Sequence, residues 1–233
     1  MKTPRNGDVQ IEVLIPAHRD RGLASAAVRS ALTQSYSPVR VLIVVETDSE
    51  SDRALRQLSP SKISELVIFS TNPMNEGQAR NFLLANARAE VVAFLDADDT
   101  FVPDSLECRA RALVSQCETE LVAGRAITCL LEAPASLEKL AGEISPPYAS
   151  ASNTLVRRRV FDAIGGFNEG NYAWPEWLAR VKAANVPAVF IDNVVSNRGI
   201  DGKNLSLGAE SRSQRMALLR ERSRIHRASS AEG

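Results

Sequence analysis

The amino-acid sequence predicts an α/β fold, built on a mostly parallel sheet with helices on both of its faces. Short apolar runs alternate with stretches of helical periodicity over the first hundred residues. One run, residues 39–45 (VRVLIVV), is almost entirely β-branched or aliphatic, which is typical of a strand covered on both faces. Helical stretches of roughly 10–15 residues separate the strands, which is the spacing of right-handed βαβ units.

The first half of the chain supplies four predicted strands and the helices between them. Pro16 ends the first apolar run, and alanine, valine and leucine recur at helical spacing after Gly22. We predict strands at residues 9–15, 39–45, 66–70 and 91–95, and helices over 22–34, up to Leu58 and over 77–88. Ligands bind beyond the carboxyl ends of such strands, so the candidate segments are 16–20, 46–52, 71–77 and 96–100.

The second half is less regular. Three prolines in residues 132–147 indicate a surface loop, and Gly165-Gly166 predicts a sharp turn that needs positive φ and close packing. Trp174 and Trp177 belong either to the core or to the wall of a pocket. We predict helices over residues 103–118, 157–164 and 176–184, strands at 120–131 and 188–195, and an extended segment at 151–156.

Composition indicates a soluble globular protein. Of the 233 residues, 44% are hydrophobic, and 28 basic side chains balance 28 acidic ones, which argues against disorder and against nucleic-acid binding. We predict one domain over residues 1–207, followed by a basic tail over residues 208–233 that carries six arginines and three glutamates. This tail is a candidate for contact with a membrane surface.

The expected location is the cytoplasm, or the cytoplasmic surface of a membrane. The three cysteines, Cys108, Cys117 and Cys129, have neither CxxC nor metal-ligand spacing, which is typical of reduced thiols. The sequence contains neither an apolar stretch of the ~20 residues that a membrane span needs nor a signal peptide.

Residues 94–99 (FLDADD) are the strongest local signal for chemistry. Asp96, Asp98 and Asp99 directly follow a predicted buried strand. Clustered carboxylates repel one another unless a cation neutralises them, and hard divalent cations such as Mg²⁺ or Mn²⁺ are suitable partners. The alternative is a solvated acidic turn that caps the next helix through Thr100 or Asp104. Spacing alone leaves both interpretations open.

Five segments in order resemble the motifs of a family-2 glycosyltransferase with the GT-A fold, a Rossmann-like sheet joined to a smaller acceptor-side region. They are residues 15–19 (IPAHR), 32–36 (LTQSY), 75–81 (NEGQARN), 94–99 (FLDADD) and 157–168 (RRRVFDAIGGFN). The resemblance implies metal-dependent, inverting transfer from a nucleotide-diphosphate sugar, with a UDP-sugar as the expected donor, to a hydroxyl acceptor. It places nucleotide binding in residues 9–100 and the acceptor in 101–207.

The resemblance also implies roles for individual residues. Asp96, with Ala97 beside it, is expected near the ribose or the sugar, and Asp98 is expected to hold Mn²⁺ or Mg²⁺. Arg80 is expected near the base or the diphosphate. Pro16, Ala17 and His18 are expected to lie against the base, with His18 packing on it rather than carrying a proton.

The sequence departs from the family pattern in three places. The family's VVDDGS reads VVETDS at residues 44–49, so Glu46 or Asp48 is left to replace the missing aspartate at Thr47. Asp201 is the best counterpart of a metal-binding histidine near the end of the family's domain.

The third departure concerns the general base. Ala173 and Trp174 occupy the positions where the family has its acidic residues, and Glu176 is the nearest carboxylate. Glu176 is therefore the candidate base, although it could merely stabilise the start of a helix. The competing hypothesis is a catalytically silent relative that binds a nucleotide-sugar or a protein partner. A nucleotidyltransferase is disfavoured, because no glycine-rich, lysine-containing segment follows the first strand.

Overall fold

The computed structural model describes residues 9–17, 22–37, 39–57, 65–131, 135–147, 149–170 and 172–200. The chain divides into two compact units, one of Met1–Thr128 with Gly142–Gly199 and the other of Cys129–Ala141 with Ile200–Gly233. The first unit carries the site residues discussed below, except Asp201, which belongs to the second. The single domain over residues 1–207 stays a prediction, and the tail over 208–233 lies outside the described residues.

The described strands form one sheet of mixed direction. They are β1 (Ile11–Ala17), β2 (Val39–Glu46), β3 (Leu66–Thr71), β4 (Val91–Phe94), β5 (Thr100–Phe101), β6 (Leu121–Leu130), β7 (Thr154–Arg157) and β8 (Ala188–Ile200). Their spatial order is β3-β2-β1-β4-β7-β6-β8-β5. Strands β1 to β4 pair in parallel, as predicted. In the second half, β7 is antiparallel to β4 and β6, and β5 is antiparallel to β8.

The helices follow the predicted order, with shifted ends. They are α1 (Ala24–Leu32), α2 (Glu50–Arg56), α3 (Glu76–Asn86), α4 (Ser105–Ser115), α5 (Arg159–Ile164) and α6 (Ala173–Ala183). Asn75 fixes the start of α3 through a capping box, because its side chain accepts the Gln78 N–H while the Gln78 side chain accepts the Asn75 N–H. No helix within the described ranges is long and apolar enough to cross a membrane.

Several predicted elements differ from the structure, since β1 continues to Ala17 rather than ending at residue 15 and β8 continues to Ile200 rather than ending at residue 195. Helix α6 begins at Ala173 rather than at Glu176, because Pro175 is tolerated in a first turn, where its missing N–H has no intrahelical partner to lose. The segment predicted as extended from Ala151 begins instead with a 3-10 turn, Ala151–Asn153, capped by Ser150. The predicted loop at 132–147 contains a second 3-10 turn, Ala135–Leu140.

The centre of the sheet is covered on both faces, as the β-branched runs predicted. All of β1 is buried, with Val13 and Ile15 in one core cluster and Leu14 in the cluster on the opposite face. Glu12 is the one charged residue of β1, and it is buried as well, with 3% of its surface exposed. It pairs with Arg40 at 2.6 Å and accepts the Ala89 N–H at 2.9 Å, so its charge is compensated.

Five rings form an aromatic cluster between the sheet and α6, namely Phe94, Phe161, Phe167, Trp174 and Trp177. Phe161 stacks on Trp177 at 4.5 Å, and Phe94 meets Phe167 edge to face at 5.3 Å. Trp174 and Trp177 are 6% and 0% exposed, and their indole N–H groups donate to the Ala149 and Gly165 carbonyls. Both tryptophans are therefore core residues, which answers the question that the sequence left open.

Candidate functional site

The carboxyl ends of three parallel strands bring several of the expected residues to one edge of the sheet. Ala17 pairs in register with Val45, directly before Glu46, and Leu14 pairs with Phe94. Pro16 and Asp96 each lie two residues beyond that second pair, so both belong to this edge. This is the edge where ligands bind in parallel α/β sheets. His18, expected here as well, lies outside the described residues.

The acidic turn after β4 is held from behind by the 3-10 turn that precedes β7. The Asp96 N–H donates to Ser152 Oγ at 3.1 Å, and the Ser152 hydroxyl also bonds the Asp99 carboxylate. Asp99 accepts the Gly199 N–H at 2.9 Å as well. Burial, reinforced by the charges of Asp98 and Asp96, raises the pKa of Asp99 well above its usual range. The turn therefore concentrates negative charge that the protein only partly compensates.

The helix-cap interpretation of this turn is not supported. Strand β5 separates it from α4, and Thr100 belongs to that strand. Asp104 stands at the N-cap of α4 but makes no capping hydrogen bond through its side chain within the described chain. The acids at 96, 98 and 99 therefore neither end nor begin a helix.

Arg80 is the basic residue that meets the acidic turn. Its Nη2 donates to Asp96 Oδ1 at 2.7 Å, and its Nε donates to Glu76 Oε1 at 3.1 Å. The side chain is 3% exposed, and the guanidinium carbon lies 5.3–5.8 Å from the ring centroids of Phe94, Phe167 and Trp174. Burial lowers the pKa of Arg80, but the charges of Asp96 and Glu76 outweigh it, so the pKa is raised overall and the cation is retained.

Glu76 completes this ion-pair group. The backbone N–H of Trp174, at the start of α6, lies close enough to the Glu76 carboxylate to favour its charged form. Burial raises the pKa of Glu76, and the Arg80 charge opposes that effect. Arg80 Nη1 is buried and has no hydrogen-bond partner among the described residues. The expected position of Arg80 near the base or the diphosphate stays a prediction, whereas its pairing with Asp96 is observed.

The loop after β2 is fixed by a second buried carboxylate. Asp52 accepts hydrogen bonds from the Asp48 N–H, the Ser70 hydroxyl and Arg56 Nε at 2.8–3.2 Å. Burial raises the pKa of Asp52, but these hydrogen bonds outweigh it and the pKa is lowered overall. Asp48 itself adopts φ +59°, at the position where the family pattern VVDDGS has glycine. Asp48 thus adopts the positive-φ conformation that the family's glycine would adopt at this position. A nucleotide contact by Asp48 or Glu46 stays a prediction.

The expected general base and the second metal ligand are not brought to the acidic turn by any observed contact. Glu176 lies half-buried in the first turn of α6, and its carboxylate makes no hydrogen bond or ion pair with the described residues. Ala173 and Trp174 are both buried in the core cluster around α6. Asp201 lies outside the described residues.

The roles of three residues of this site were not predicted from the sequence. Asp99 was recognised as the third acid of its motif, but its burial was not predicted. Glu76 lies in the 75–81 motif, one helical turn before Arg80, but its pairing with Arg80 was not predicted. Ser152 lies 56 residues from Asp96 along the chain, so only the antiparallel return of β7 brings the two together.

A metal ion at the described acids would need further donor atoms, such as the phosphate oxygens of a bound substrate. In the part of the chain that is described, no three His, Cys, Asp or Glu side chains converge on a metal position. Arg80 engages Asp96, while Ser152 and the Gly199 N–H engage Asp99. Asp98, half-exposed between them, fits a divalent ion such as Mg²⁺, which is commonly held by one or two carboxylates plus substrate phosphates.

Comparisons with known proteins show the family and the fold of this chain. The sequence profile of Glycosyl transferase family 2 matches residues 12–165, more than half of the chain. An uncharacterised glycosyltransferase of Nostoc sp. is 35% identical over 103 residues, which are 42% of this chain and 31% of that protein.

Two further proteins carry more descriptive names. The Escherichia coli UDP-Glc:alpha-D-GlcNAc-diphosphoundecaprenol beta-1,3-glucosyltransferase WfgD is 30% identical over 103 residues, 43% of this chain and 39% of that enzyme. A mannosyltransferase from Pyrobaculum calidifontis, solved with GDP-Man and Mn²⁺, superimposes with a TM-score of 0.65 at 16% identity over 83% of this chain and 58% of its own. The chain thus spans less than half the length of the two sequence relatives, and the structural likeness concerns the fold.

Proposed function

Because this chain belongs to Glycosyl transferase family 2 and has the GT-A fold that its motifs imply, we propose that it is a metal-dependent, inverting glycosyltransferase. It moves a sugar from a nucleotide-diphosphate donor, most simply a UDP-sugar, to a hydroxyl acceptor. The Escherichia coli relative uses UDP-Glc, which supports this donor class, whereas the Pyrobaculum structure holds GDP-Man. A GDP-sugar is accordingly the alternative donor.

One observation carries the proposal. Asp96 lies at the end of β4, at the same edge of the sheet as Pro16, Ala17 and Glu46, and Arg80 holds its carboxylate at 2.7 Å. An oriented carboxylate next to Ala97, a small neighbour, suits hydrogen bonding to the hydroxyls of a ribose or a sugar. The backbone of Pro16 and Ala17, with His18, then forms the surface for the base.

Asp98 would hold the Mn²⁺ or Mg²⁺ ion together with the diphosphate of the donor, while Asp201 as a further ligand stays a prediction outside the described residues. When bound, the ion would stabilise the negative charge that develops on the leaving nucleoside diphosphate. The Mn²⁺ in the Pyrobaculum structure supports a divalent ion of this kind. Asp99 and Ser152 keep the turn in place from behind, so Asp98 is presented on a fixed backbone.

Glu176 is the proposed general base. It would take the proton of the acceptor hydroxyl as that oxygen attacks the anomeric carbon from the face opposite the leaving group, which inverts the configuration. Its half-buried position in the first turn of α6, with no partner among the described residues, leaves its carboxylate available for this proton.

The second candidate function is binding without turnover. It is favoured by Ala173 and Trp174, since neither side chain can accept a proton and both are buried in the core. A chain of this kind would bind a nucleotide-sugar, or a protein partner, and release no nucleoside diphosphate.

Turnover separates the two candidates. The full chain is incubated with Mn²⁺ and either UDP-glucose or GDP-mannose, with and without simple hydroxyl acceptors, and the released UDP or GDP is measured. Release that depends on Mn²⁺ supports the transferase. Binding of a donor without release under every condition would favour the silent relative, and the absence of both would contradict the proposal.

We further propose that the protein works in the cytoplasm and touches a membrane surface through the basic tail at residues 208–233. The tail's net charge of +3 would attract anionic lipid. The acceptor of the Escherichia coli relative is linked to diphosphoundecaprenol, which supports work near a membrane. Sedimentation of the full chain with anionic vesicles, but not with neutral ones, tests this, and equal recovery from both would contradict it.

A further inference from the structure

Residues in the first turns of α3 form hydrogen bonds and close contacts with the segment that precedes α6. We call Asn75, Glu76, Gly77, Gln78 and Asn81 the α3 clamp. Its partners lie in residues 166–170 and 172–174.

The α3 clamp forms hydrogen bonds to three residues of this segment. The Asn81 side chain both accepts the Phe167 N–H at 2.8 Å and donates to the Phe167 carbonyl at 2.7 Å. Asn75 Oδ1 accepts the Gly170 N–H at 3.1 Å, and the Gly77 N–H donates to the Gly170 carbonyl at 3.0 Å. Gln78 Nε2 donates to Glu169 Oε2 at 3.2 Å, and the Glu76 carboxylate lies close to the Trp174 N–H.

Two glycines allow the close approach that these bonds require. A Cβ atom on Gly77 would lie 2.0 Å from the Asn168 carbonyl oxygen, and one on Gly166 would lie 2.5 Å from Asn81 Oδ1. Neither glycine has a positive φ, so proximity rather than backbone conformation requires them. Two of the sequence motifs, at 75–81 and 157–168, are thus the two halves of one interface.

Glu76 connects this interface to the acidic turn. Glu76 Oε1 accepts a hydrogen bond from Arg80 Nε, and Arg80 Nη2 in turn donates to Asp96. A continuous pair of charge-assisted hydrogen bonds therefore runs from Glu76 through Arg80 to Asp96. The other residues of the α3 clamp contact the segment before α6.

We propose that Glu76 is a positioning residue for donor binding, which acts through Arg80 on the carboxylate of Asp96. The inference rests on the proposed function, because Asp96 is the donor-contacting group. Glu76 fixes Nε of Arg80, so that Nη2 faces Asp96 in one orientation while the ring faces of Phe94, Phe167 and Trp174 fill the remaining space.

Glu76→Gln is the direct test. A glutamine keeps the size of the side chain but carries no charge, so the charge-assisted bond to Arg80 Nε is lost. We expect the Kd for UDP-glucose or GDP-mannose, whichever the wild type binds with Mn²⁺ by calorimetry, to rise about tenfold, as loss of a charge-assisted bond worth ~1.4 kcal/mol predicts. Glu169→Gln is the matched control: the same change on the same interface, without a link to Arg80, should leave Kd within about twofold.

A double-mutant cycle with Asp96→Asn separates positioning from a general loss of structure. If Glu76 acts through Asp96, Glu76→Gln should change Kd by less than about twofold in the Asp96→Asn background. Wild-type affinity in Glu76→Gln, or effects of the two substitutions that multiply independently, would overturn the inference and leave the proposed function intact. A wild type that binds neither nucleotide-sugar overturns both.

Folding of each variant is checked by circular dichroism. If Glu76→Gln does not fold, Arg80→Lys provides the same test, because one ammonium group cannot reproduce the fork that bridges Glu76 and Asp96. We expect a similar loss of donor affinity from folded Arg80→Lys. Wild-type affinity in that variant would also overturn the inference.

Discussion

At the scale of single residues, environment separates the three acids of one short motif. Asp96 is paired with Arg80, Asp99 is buried against Ser152 and the Gly199 N–H, and Asp98 is half-exposed between them. Identical side chains within four positions therefore serve different purposes. Asp98 stays the expected metal ligand.

Asp98→Asn should abolish Mn²⁺-dependent donor binding while leaving the melting temperature nearly unchanged, because an amide is a poor ligand for a hard cation and the position is half-exposed. Calorimetric titration with donor, in the presence and absence of Mn²⁺, measures the loss. Asp104→Asn, an exposed acid outside the turn, is the control. Mn²⁺-dependent binding that survives in Asp98→Asn would refute the assignment.

Glu176→Gln should slow sugar transfer by roughly 10²–10⁴-fold, because glutamine keeps the size of the side chain but cannot accept the proton. Donor affinity should persist, since Glu176 makes no observed contact with the described acidic turn. Initial rates of nucleoside diphosphate release, measured beside donor titrations, report both quantities. An unchanged rate would mean that the base is another group.

Asp52→Asn should lower the free energy of unfolding by about 1–3 kcal/mol at pH 7, because three donors face the Asp52 side chain and an amide presents one of them with another donor. The pKa of Asp52 is lowered in the fold from its ordinary 3.8. Its stabilisation is therefore present above that value and is lost as the pH falls through the lower, folded-state value.

Urea denaturation of wild type and Asp52→Asn between pH 7 and pH 3 measures this difference. It should stay constant down to about pH 4 and shrink below that, as protonation removes the carboxylate from the wild type. A difference that grows on acidification would contradict the assignment of Asp52 as a stabilising anion.

At the scale of elements, the turn between α5 and α6 depends on two glycines for different reasons. Gly165 ends α5 with φ +82°, a conformation that other residues rarely adopt. Gly166 instead lies against Asn81, within the interface of the α3 clamp. The sequence predicted a structural turn here, and positive φ together with close packing are both present, one at each glycine.

Gly166→Val should lower the free energy of unfolding by more than about 1 kcal/mol, because its Cβ would lie 2.5 Å from Asn81 Oδ1 and break the paired bonds to Phe167. Thermal unfolding gives the comparison. Gly142→Asn is a suitable control, since nothing lies within 4 Å of a Cβ at Gly142 and asparagine tolerates its φ of +76°. An unchanged melting temperature in Gly166→Val would show a loose surface turn.

Element types were more predictable than element ends. Residues 39–45 gave β2 almost unchanged, because a buried parallel strand needs an unbroken apolar run. The start of α6 was placed too late, since Pro175 is equally compatible with the residue before a helix and with its first turn. Residues 151–153 were expected to be extended, but the capping box between Ser150 and Asn153 is a local hydrogen-bond preference that apolar periodicity does not reveal.

At the scale of the whole molecule, ligand binding should be visible as stability. Donor with Mn²⁺ should raise the melting temperature, since a ligand at 100 times its Kd stabilises the folded state by about 2.7 kcal/mol. Addition of EDTA should remove the gain, whereas free protein should melt at the same temperature with and without EDTA. A gain that persists in EDTA would show that donor binding does not need the ion.

The residues at the sheet edge where a nucleotide is expected were easier to predict from the sequence than the residues that hold them in place. Asp96 and Arg80 belong to motifs that read directly along the chain, and they meet in the fold. Ser152 lies 56 residues from Asp96, and the antiparallel return of β7 brings the two together. Such a pair has no fixed spacing, so periodicity and motif matching do not reveal it, whereas Glu76 lies one helical turn before Arg80.

The buried Glu12 also has a consequence for how the chain is synthesised. Its carboxylate accepts the N–H of Ala89, 77 residues later, and the central strand that carries it pairs with β4 immediately after that point. A nascent chain that has not yet passed this region exposes the unpaired edge of β1 and has the Arg40 partner of Glu12 without the Ala89 N–H. Long-range parallel pairing of this kind is slow to form. Translational pausing before β4 would therefore prolong a stage at which chaperone binding competes with aggregation.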